Sequence, residues 1–189
     1  KMGKKKLFII IIPLALLILF AIAIIIPARS VVASANDTYS QAKVAWDAIK
    51  KQDVGLTKEE LAKTHQKLET TEEKLRALSW TQYIPLVGVY YKDAQHGMNA
   101  ASAALSEADT VVEAILPNPD VLGLKGQGSF VLGSAEDRIQ KAVATMDKVT
   151  PQIPALEENM KKVEEEISAI DANRYPSKLG DVEIRGRLT

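Results

Sequence analysis

Residues 7–26 read LFIIIIPLALLILFAIAIII, an apolar run without a charged side chain. In a helix these residues rise about 30 Å, which matches the hydrocarbon thickness of a bilayer. A basic flank precedes the run, with Lys4, Lys5 and Lys6 directly before Leu7. Because positively charged flanks stay on the cytoplasmic side, the sequence predicts a cytoplasmic flank at 1–6 and a transmembrane signal anchor at 7–26.

A cleaved secretory signal is the alternative interpretation of this start. Residues 33–35 form the cleavage-like triplet Ala-Ser-Ala. Signal peptides, however, carry apolar regions of about 7–15 residues, and the present run is longer. The triplet also lies well beyond Ile26, the last residue of the run. We therefore favour an uncleaved anchor.

The charge balance after the anchor is mildly acidic. The whole chain has 24 basic and 24 acidic residues, but four of the basic ones precede Leu7, which leaves a formal charge of −4 after Ile26. Nucleic-acid binding needs a basic surface, so the composition argues against nucleic acid as a partner. The chain has no Cys, which excludes disulfides and thiolate chemistry and is usual in bacterial envelope domains.

Apolar residues at spacings of three and four predict helices throughout the remainder. The first helix continues from the anchor to about Gln52. Its predicted buried seam is Ala35, Tyr39, Ala42, Trp46 and Ile49. Thr57 and Glu60 form a capping box at the start of the second helix, which runs to about Ser79. The predicted seam of that helix is Leu61, His65, Leu68, Leu75 and Leu78.

The third helix has a stripe of small residues and is predicted to begin with Pro85. Because the stripe passes through Gly97, Ala101 and Ala104, we expect close helix approach and a position near the centre of the fold. A loop rich in Gly and Pro spans 117–133. Its apolar residues Leu122, Leu124 and Phe130 either fold back over the helix ends, which we favour, or form a partner-binding surface.

The fourth helix is predicted from Ser134 to about Asn173, with a kink at Pro151 and Pro154. Its predicted apolar stripe is Ile139, Val143, Met146, Val149, Ile153, Leu156, Met160, Val163, Ile167 and Ile170. Residues 174–189 begin a further element. The expected fold is therefore all-α: one transmembrane helix, then an elongated antiparallel bundle of about four helices, coiled-coil-like, at 27–173.

Helix lengths place the turn between the second and third helices close to the membrane. The first helix rises roughly 39 Å beyond the bilayer and the second returns roughly 34 Å. Trp and Tyr favour the membrane interface, so Trp80 and Tyr83 are predicted to contact lipid headgroups or, alternatively, to cap the base of the bundle.

A family resemblance rests on several of these features. Trp80 and the sequence Ile-Pro-Leu-Val-Gly at 84–88 follow two charged helices, and Ala-Ile-Asp at 169–171 precedes Tyr175. Together with the lysine-flanked anchor, this pattern resembles the amino-terminal part of a bacterial envelope family, the domain-of-unknown-function family numbered 4012. The resemblance implies an amino-terminal piece of a longer protein with a second domain downstream. The family has no established activity.

Candidate reactive groups are few. His65 lies on a seam, where a hydrogen-bonded core histidine is expected, and neither His65 nor His96 has a second histidine four residues on. Gly123, Gly126 and Gly128 lack the GK[ST] sequence of a phosphate loop. The glutamate runs at 157–158 and 164–166 are typical of a solvated helix face. We predict no catalytic, metal or cofactor site in this segment.

The sequence therefore predicts a membrane-anchored stalk or docking domain of a bacterial envelope protein, facing outward from the cytoplasmic membrane. Its partners would be the lipid bilayer, another envelope protein or a downstream domain, and homo-oligomers are compatible with the pattern. Two alternatives remain: a sensory ligand-binding bundle, and the membrane stalk of an enzyme whose catalytic domain lies beyond residue 189.

Overall fold

The computed structural model describes residues 4–117, 119, 122–126, 134–175, 178–179 and 182–183, with side chains from residue 11 to residue 175 of these. The α-helices of this part are α1 (Lys4–Lys50), α2 (Val54–Arg76), α3 (Gly88–Ile115), α4 (Ala135–Val149) and α5 (Ile153–Ser168). Short 3-10 helices occupy Ser79–Tyr83, Thr150–Gln152 and Ala172–Arg174. Strands β1 (Lys178–Leu179) and β2 (Val182–Glu183) form a two-residue antiparallel pair. The prediction of a helical chain with one long apolar helix at its amino terminus is confirmed.

The helices pack in chain order, α1 on α2, α2 on α3 and α3 on α5. Residues 51–53 are the whole connection between α1 and α2, so these two helices are antiparallel. His65 contacts Asp109 near one end of the α2–α3 pair, and Leu75 packs with Tyr91 near the other. The chain thus reverses direction at each turn.

The interface between α1 and α2 is built from small and hydroxyl side chains. Ala45 and Ala48 are buried, as are Ser34 and Thr38. The Thr38 and Thr71 hydroxyl oxygens are 3.0 Å apart, and the Thr71 hydroxyl donates to Ser34 Oγ at 2.9 Å. Hydrogen bonding across the interface satisfies these buried hydroxyl groups, and the small side chains permit close approach of the two backbones.

The buried face of α1 differs from the predicted one. Tyr39, Trp46 and Ile49 were expected inside, but they are 45 %, 56 % and 42 % exposed. The residues of α1 that contact α2 each precede a predicted residue by one position in the sequence: they are Ser34, Thr38, Ala45 and Ala48. Two overlapping patterns with spacings of three and four coexist on α1, and the pattern with the smaller side chains packs against α2.

The start of α2 is also shifted from its predicted position. Asp53, rather than Thr57, is the N-cap residue, and its carboxylate accepts a hydrogen bond from Leu56 N at 2.9 Å. Thr57 lies inside the first turn and donates its hydroxyl proton to Asp53 O at 2.7 Å. A capping aspartate is as effective as threonine, and here it begins the helix one turn earlier.

The connection between α2 and α3 is tight. Leu86 has a φ of 70°, and α3 begins at Gly88 rather than at Pro85. A Cβ atom on Gly88 would lie 2.3 Å from Gln82 O. The glycine is therefore required by the close approach of the backbone of the 3-10 helix.

Replacing Gly88 by alanine is expected to destabilise the fold by about 1–3 kcal/mol, because the new methyl group must displace backbone atoms. Gly97→Ala is the matched control, since its Cβ would meet only Ile170 Cδ1 at 3.9 Å. The control should be neutral or gain about 0.5–1 kcal/mol of helix propensity. Thermal unfolding of both variants in detergent, followed by far-UV circular dichroism, measures the difference. Equal melting of the two variants would contradict the close contact.

Helix α3 has neighbours on two sides, α2 and α5. Ala100 is buried and Gly97 is half-buried, whereas Ala104 is exposed. The predicted central position of this helix agrees with these contacts. The predicted stripe of small residues is only partly in the interface, because the two neighbours contact different faces of α3.

The fourth predicted helix is divided in two. Helix α4 ends at Val149, the 3-10 helix Thr150–Gln152 contains Pro151, and α5 begins at Ile153. This confirms the predicted interruption at the prolines. The predicted apolar stripe, however, is not fully buried. Its residues Ile139, Val143, Met146, Ile153, Met160 and Ile167 are exposed.

Candidate functional site

The amino-terminal half of α1 is apolar and unpacked. It is the single helix of the described residues that is long and apolar enough to cross a membrane, and its most apolar window is not buried against other parts of the chain. Leu16 and Leu17 are 61 % and 65 % exposed. A signal sequence can have the same length and apolar composition, so these two properties identify α1 as a candidate membrane span. Lys4, Lys5 and Lys6 form the first turn of this helix.

The turn between α2 and α3 lies beside this apolar segment. We call residues 79–87 the Trp80 turn. The Trp80 ring makes an edge-on contact with the Phe20 ring, with centroids 5.8 Å apart and planes inclined by 68°. Phe20 precedes Ile26, the end of the apolar run, by about 9 Å of helix rise. The Trp80 turn therefore lies alongside the apolar segment itself.

The Trp80 turn carries exposed apolar side chains. Tyr83 and Leu86 are 82 % and 87 % exposed, and Trp80 is 41 % exposed. Thr81, by contrast, is buried and donates its hydroxyl proton to Leu78 O at 2.7 Å, which holds the 3-10 turn. The most buried side chain of the turn is thus polar, whereas three of its large side chains, Trp80, Tyr83 and Leu86, are exposed. This is the reverse of the usual distribution in a water-exposed turn.

A second feature of this region is a polar cluster around a buried carboxylate, which we call the Asp93 cluster. Asp93 on α3 is 4 % exposed. It accepts hydrogen bonds from Arg174 Nη1 at 2.7 and 2.9 Å and from the Tyr175 hydroxyl at 3.0 Å. The Tyr175 ring also contacts the Tyr90 ring edge-on, at 5.6 Å between centroids. The cluster fixes the segment after α5 to the beginning of α3.

The protonation states in the Asp93 cluster follow from its contacts. Burial, followed by the hydrogen bond to Asp93, raises the pKa of the Tyr175 hydroxyl. The Asp93 carboxylate also raises the pKa of Arg174. Tyrosine therefore remains a hydrogen-bond donor and arginine a cation at neutral pH. Three donated hydrogen bonds and one opposite charge compensate the burial of Asp93, which gives the cluster a structural role.

Further polar contacts join α3 to α5. His96 Nδ1 lies 2.5 Å from Glu166 Oε2, and Asn99 Nδ2 donates to Glu166 Oε1 at 3.1 Å. The hydrogen bond with His96 lowers the pKa of the Glu166 carboxyl. Asn159 on α5 bonds Glu107, which lies further along α3. The order of these pairs shows that α5 runs antiparallel to α3.

The two histidines are both paired with carboxylates. His65 Nε2 lies 2.5 Å from Asp109 Oδ2 across the α2–α3 interface, which confirms the predicted hydrogen bond. The His65 side chain is 38 % exposed, so it is not the core histidine that was expected. In the described part of the chain, no group of three or more His, Cys, Asp or Glu residues is arranged to hold a metal ion. The polar contacts described here thus join α3 to α2, to α5 and to the segment after α5.

The part of the loop at 117–133 that the structure describes packs onto the turn between α1 and α2. Leu124 O accepts a hydrogen bond from Val54 N at 2.9 Å, and Gly126 N donates to Gln52 O at 3.0 Å. Leu124 packs against the cluster that contains Val54, and Leu122 is half-buried. Phe130, the third predicted residue of a partner-binding loop, lies outside the described residues. These contacts agree with the favoured alternative, a loop that folds back over the helix ends.

In comparisons with known proteins, no family model, no curated protein and no solved structure matches the chain. The resemblance to family 4012 therefore stays a prediction.

Sequence reasoning missed the Asp93 cluster. The available signal was weak: Asp93 is the one acidic residue between Gly88 and Ser106, in a helix otherwise rich in small and apolar side chains. Its partners Arg174 and Tyr175 are more than eighty positions away. Periodicity identifies residues that share a face, but it does not pair residues that distant in the chain.

Proposed function

We propose that this chain is a single-pass membrane-anchored helical stalk or docking domain of a bacterial envelope protein, with no catalytic role in this segment. Its helices would form an antiparallel bundle of coiled-coil type. The anchor would be α1, with Lys4, Lys5 and Lys6 on the cytoplasmic side and the packed helices outside.

The observation that carries this proposal is the continuity of α1. One helix of 47 residues includes the exposed apolar segment and the segment that packs on α2, with Pro27 inside it. A helix of this length measures about 70 Å. Because no loop separates the two segments, the packed helices would be held at a fixed distance and angle from the span. A spacer or docking platform needs this property, whereas a tethered enzyme domain does not.

The Trp80 turn supports the same arrangement. Its exposed Tyr83 and Leu86 side chains and the contact between Trp80 and Phe20 are explained if the turn touches the bilayer. Tryptophan and tyrosine favour the interfacial zone, where an apolar ring and a polar group are both solvated. In this proposal the turn is a second contact with the membrane, beside the anchor.

Cysteine accessibility tests the anchor and its orientation, since the chain has no native Cys. Lys4→Cys and Lys51→Cys would be expressed separately with an amino-terminal epitope tag. We expect an impermeant maleimide to label Lys51→Cys on intact cells and to label Lys4→Cys only after lysis. The tag should remain on the membrane-bound chain. Loss of the tag would indicate a cleaved signal, and the opposite labelling would place the packed helices in the cytoplasm.

Tryptophan quenching tests the contact of the turn with lipid. The chain has two tryptophans, so Trp46→Phe leaves Trp80 as the single fluorophore and Trp80→Phe leaves Trp46. In bilayers with brominated acyl chains, we expect strong quenching of Trp80 and none of Trp46, which lies about 30 Å of helix rise beyond Ile26. Equal quenching of the two fluorophores would contradict the proposed interface.

A further inference from the structure

Helix α1 carries a second apolar face that α2 does not cover. Val32, Tyr39 and Trp46 follow one another at intervals of seven residues and are 43 %, 45 % and 56 % exposed. Ala35, Ala42 and Ile49 each follow one of these residues by three positions. The six residues together are called the α1 seam: Val32, Ala35, Tyr39, Ala42, Trp46 and Ile49. An interval of seven is the repeat of a helix that packs along its length against another helix.

Helices α4 and α5 carry a corresponding face at the other edge of the fold. Every seventh residue is apolar and exposed, through the interruption at Pro151. The five residues, which we call the α5 seam, are Ile139, Met146, Ile153, Met160 and Ile167, with exposures of 64 %, 62 %, 52 %, 57 % and 39 %. The adjacent Leu156, Val163 and Ile170 are half-buried on the side of α3.

Charges of opposite sign flank the two seams. Beside the α1 seam, on the side away from α2, lie Lys43 and Lys50, seven residues apart, and Arg29, fourteen residues before Lys43; Lys50 also pairs with Asp47 at 3.4 Å. The ammonium groups of Lys43 and Lys50 lie 5.6 and 5.9 Å from the ring centroids of Tyr39 and Trp46. Beside the α5 seam, on the side away from α3, lie Glu157 and Glu164, again seven residues apart, and Asp171 follows the end of α5. All six charged residues are exposed.

We propose that the α1 seam of one copy of this chain packs against the α5 seam of a second copy, reciprocally, to form a two-fold dimer. Pairing of like seams would place cations beside cations or carboxylates beside carboxylates. Pairing of unlike seams places cations beside carboxylates, and charged residues at these flanking positions select the partner of a helix. A second copy supplies both complementary faces at once.

The geometry of the chain is compatible with this pairing. α1 and α5 run in opposite directions, because each helix is antiparallel to the next in the order α1, α2, α3, α5. Ala45 belongs to the cluster against which Leu105 and Ala108 pack, and Glu107 bonds Asn159, so Lys43 and Glu157 lie within about one helical turn of the same height. The dimer rests on the proposed function in one respect: two copies anchored in one membrane are related by an axis along its normal, which keeps these heights matched.

Cysteine cross-linking between two tagged copies of the full chain in nanodiscs tests the dimer. One copy carries Tyr39→Cys and the other carries Met160→Cys, and a short bis-maleimide joins neighbouring thiols. The control pair is Asp37→Cys with Glu165→Cys, which are exposed positions outside the seams. We expect a cross-linked product with both tags for the seam pair and only background for the control pair.

Three other outcomes would overturn the dimer. Cross-linking of Tyr39→Cys to itself, or of Met160→Cys to itself, would show pairing of like seams. A monomer-sized internal cross-link in a chain with both cysteines would show that the two edges close on each other. Absence of any cross-linked product from chains that are inserted in the bilayer would show that a second copy does not cover the two seams. Chains that fail to insert at all would instead contradict the proposed anchor.

A charge exchange gives an independent readout. Lys43→Glu and Glu157→Lys, each made in both copies, should lower the cross-linked fraction of the seam pair to the level of the control pair. The double variant Lys43→Glu with Glu157→Lys should restore it. Equal cross-linking in all three variants would exclude charge complementarity as the basis of pairing.

Discussion

Replacing Leu16 and Leu17 together by arginine is expected to abolish stable membrane insertion of the chain. Both residues lie at the centre of the apolar run and are exposed along the helix. An arginine at the centre of a spanning helix costs about 2.5–3.5 kcal/mol on insertion scales, so the pair costs about 6 kcal/mol. After alkaline extraction and sedimentation, the wild-type chain should be in the membrane pellet and the variant should not.

Leu16→Ala with Leu17→Ala is the control for this experiment, because it shortens the same side chains without adding charge. The control should sediment with the membranes. If the arginine variant also remained in the pellet after alkaline extraction, α1 would not be the anchor. If the wild-type chain were released in a shortened form, the apolar segment would be a cleaved signal.

Asp93→Ala is expected to have the second large effect, a loss of about 2 kcal/mol of folding stability. The substitution removes the acceptor of three hydrogen bonds and leaves Arg174 without its counter-ion. Breaking a fully buried ion pair costs about 3–5 kcal/mol. Because the Arg174 side chain is 35 % exposed, water compensates part of that loss. Chemical unfolding of the chain in detergent measures the change.

Glu113→Ala, on the same helix, is the matched control for Asp93→Ala. Glu113 forms an exposed ion pair with Lys58 at 3.6 Å, and such pairs contribute about 0–1 kcal/mol. Arg174→Ala and the double variant Asp93→Ala with Arg174→Ala complete a thermodynamic cycle. We expect the double variant to lose less than the sum of the two single losses. Additive losses would show that the two side chains do not interact.

Local patterns predicted the helices well and their orientations less well. The apolar run, the end of the first helix near Gln52 and the interruption at Pro151 follow directly from composition and backbone chemistry. Which face of α1 packs against α2 does not follow from these features, because Tyr39 and Thr38 belong to overlapping patterns of apolar and small residues that fit a buried face equally well. The choice depends on α2, where Thr71 offers a hydroxyl partner to Thr38 and Ser34. A single helix contains no information about that partner.

The candidate functional site, too, could be predicted only in part from the sequence. Trp80 and Tyr83 were predicted from residue type and helix length, because a return helix of similar length must bring the turn back to its starting level. The contact between Trp80 and Phe20 is closer to the apolar run than those lengths implied. The Asp93 cluster required the packing of three separate segments, and neither charge pattern nor spacing indicates which arginine reaches a buried aspartate.

The uninterrupted course of α1 has a mechanical consequence. From Ile26 to Lys50 the helix extends about 36 Å beyond the apolar run, so it would act as a rigid lever whose pivot lies in the bilayer. Spanning helices adjust to bilayer thickness by tilting, with an average tilt of about 20°. A tilt of that size would move the turn at Lys51 sideways by about 12 Å. Lipid thickness would thereby set the lateral position of the distal surface, and a thinner membrane would displace that surface further from the point of anchorage.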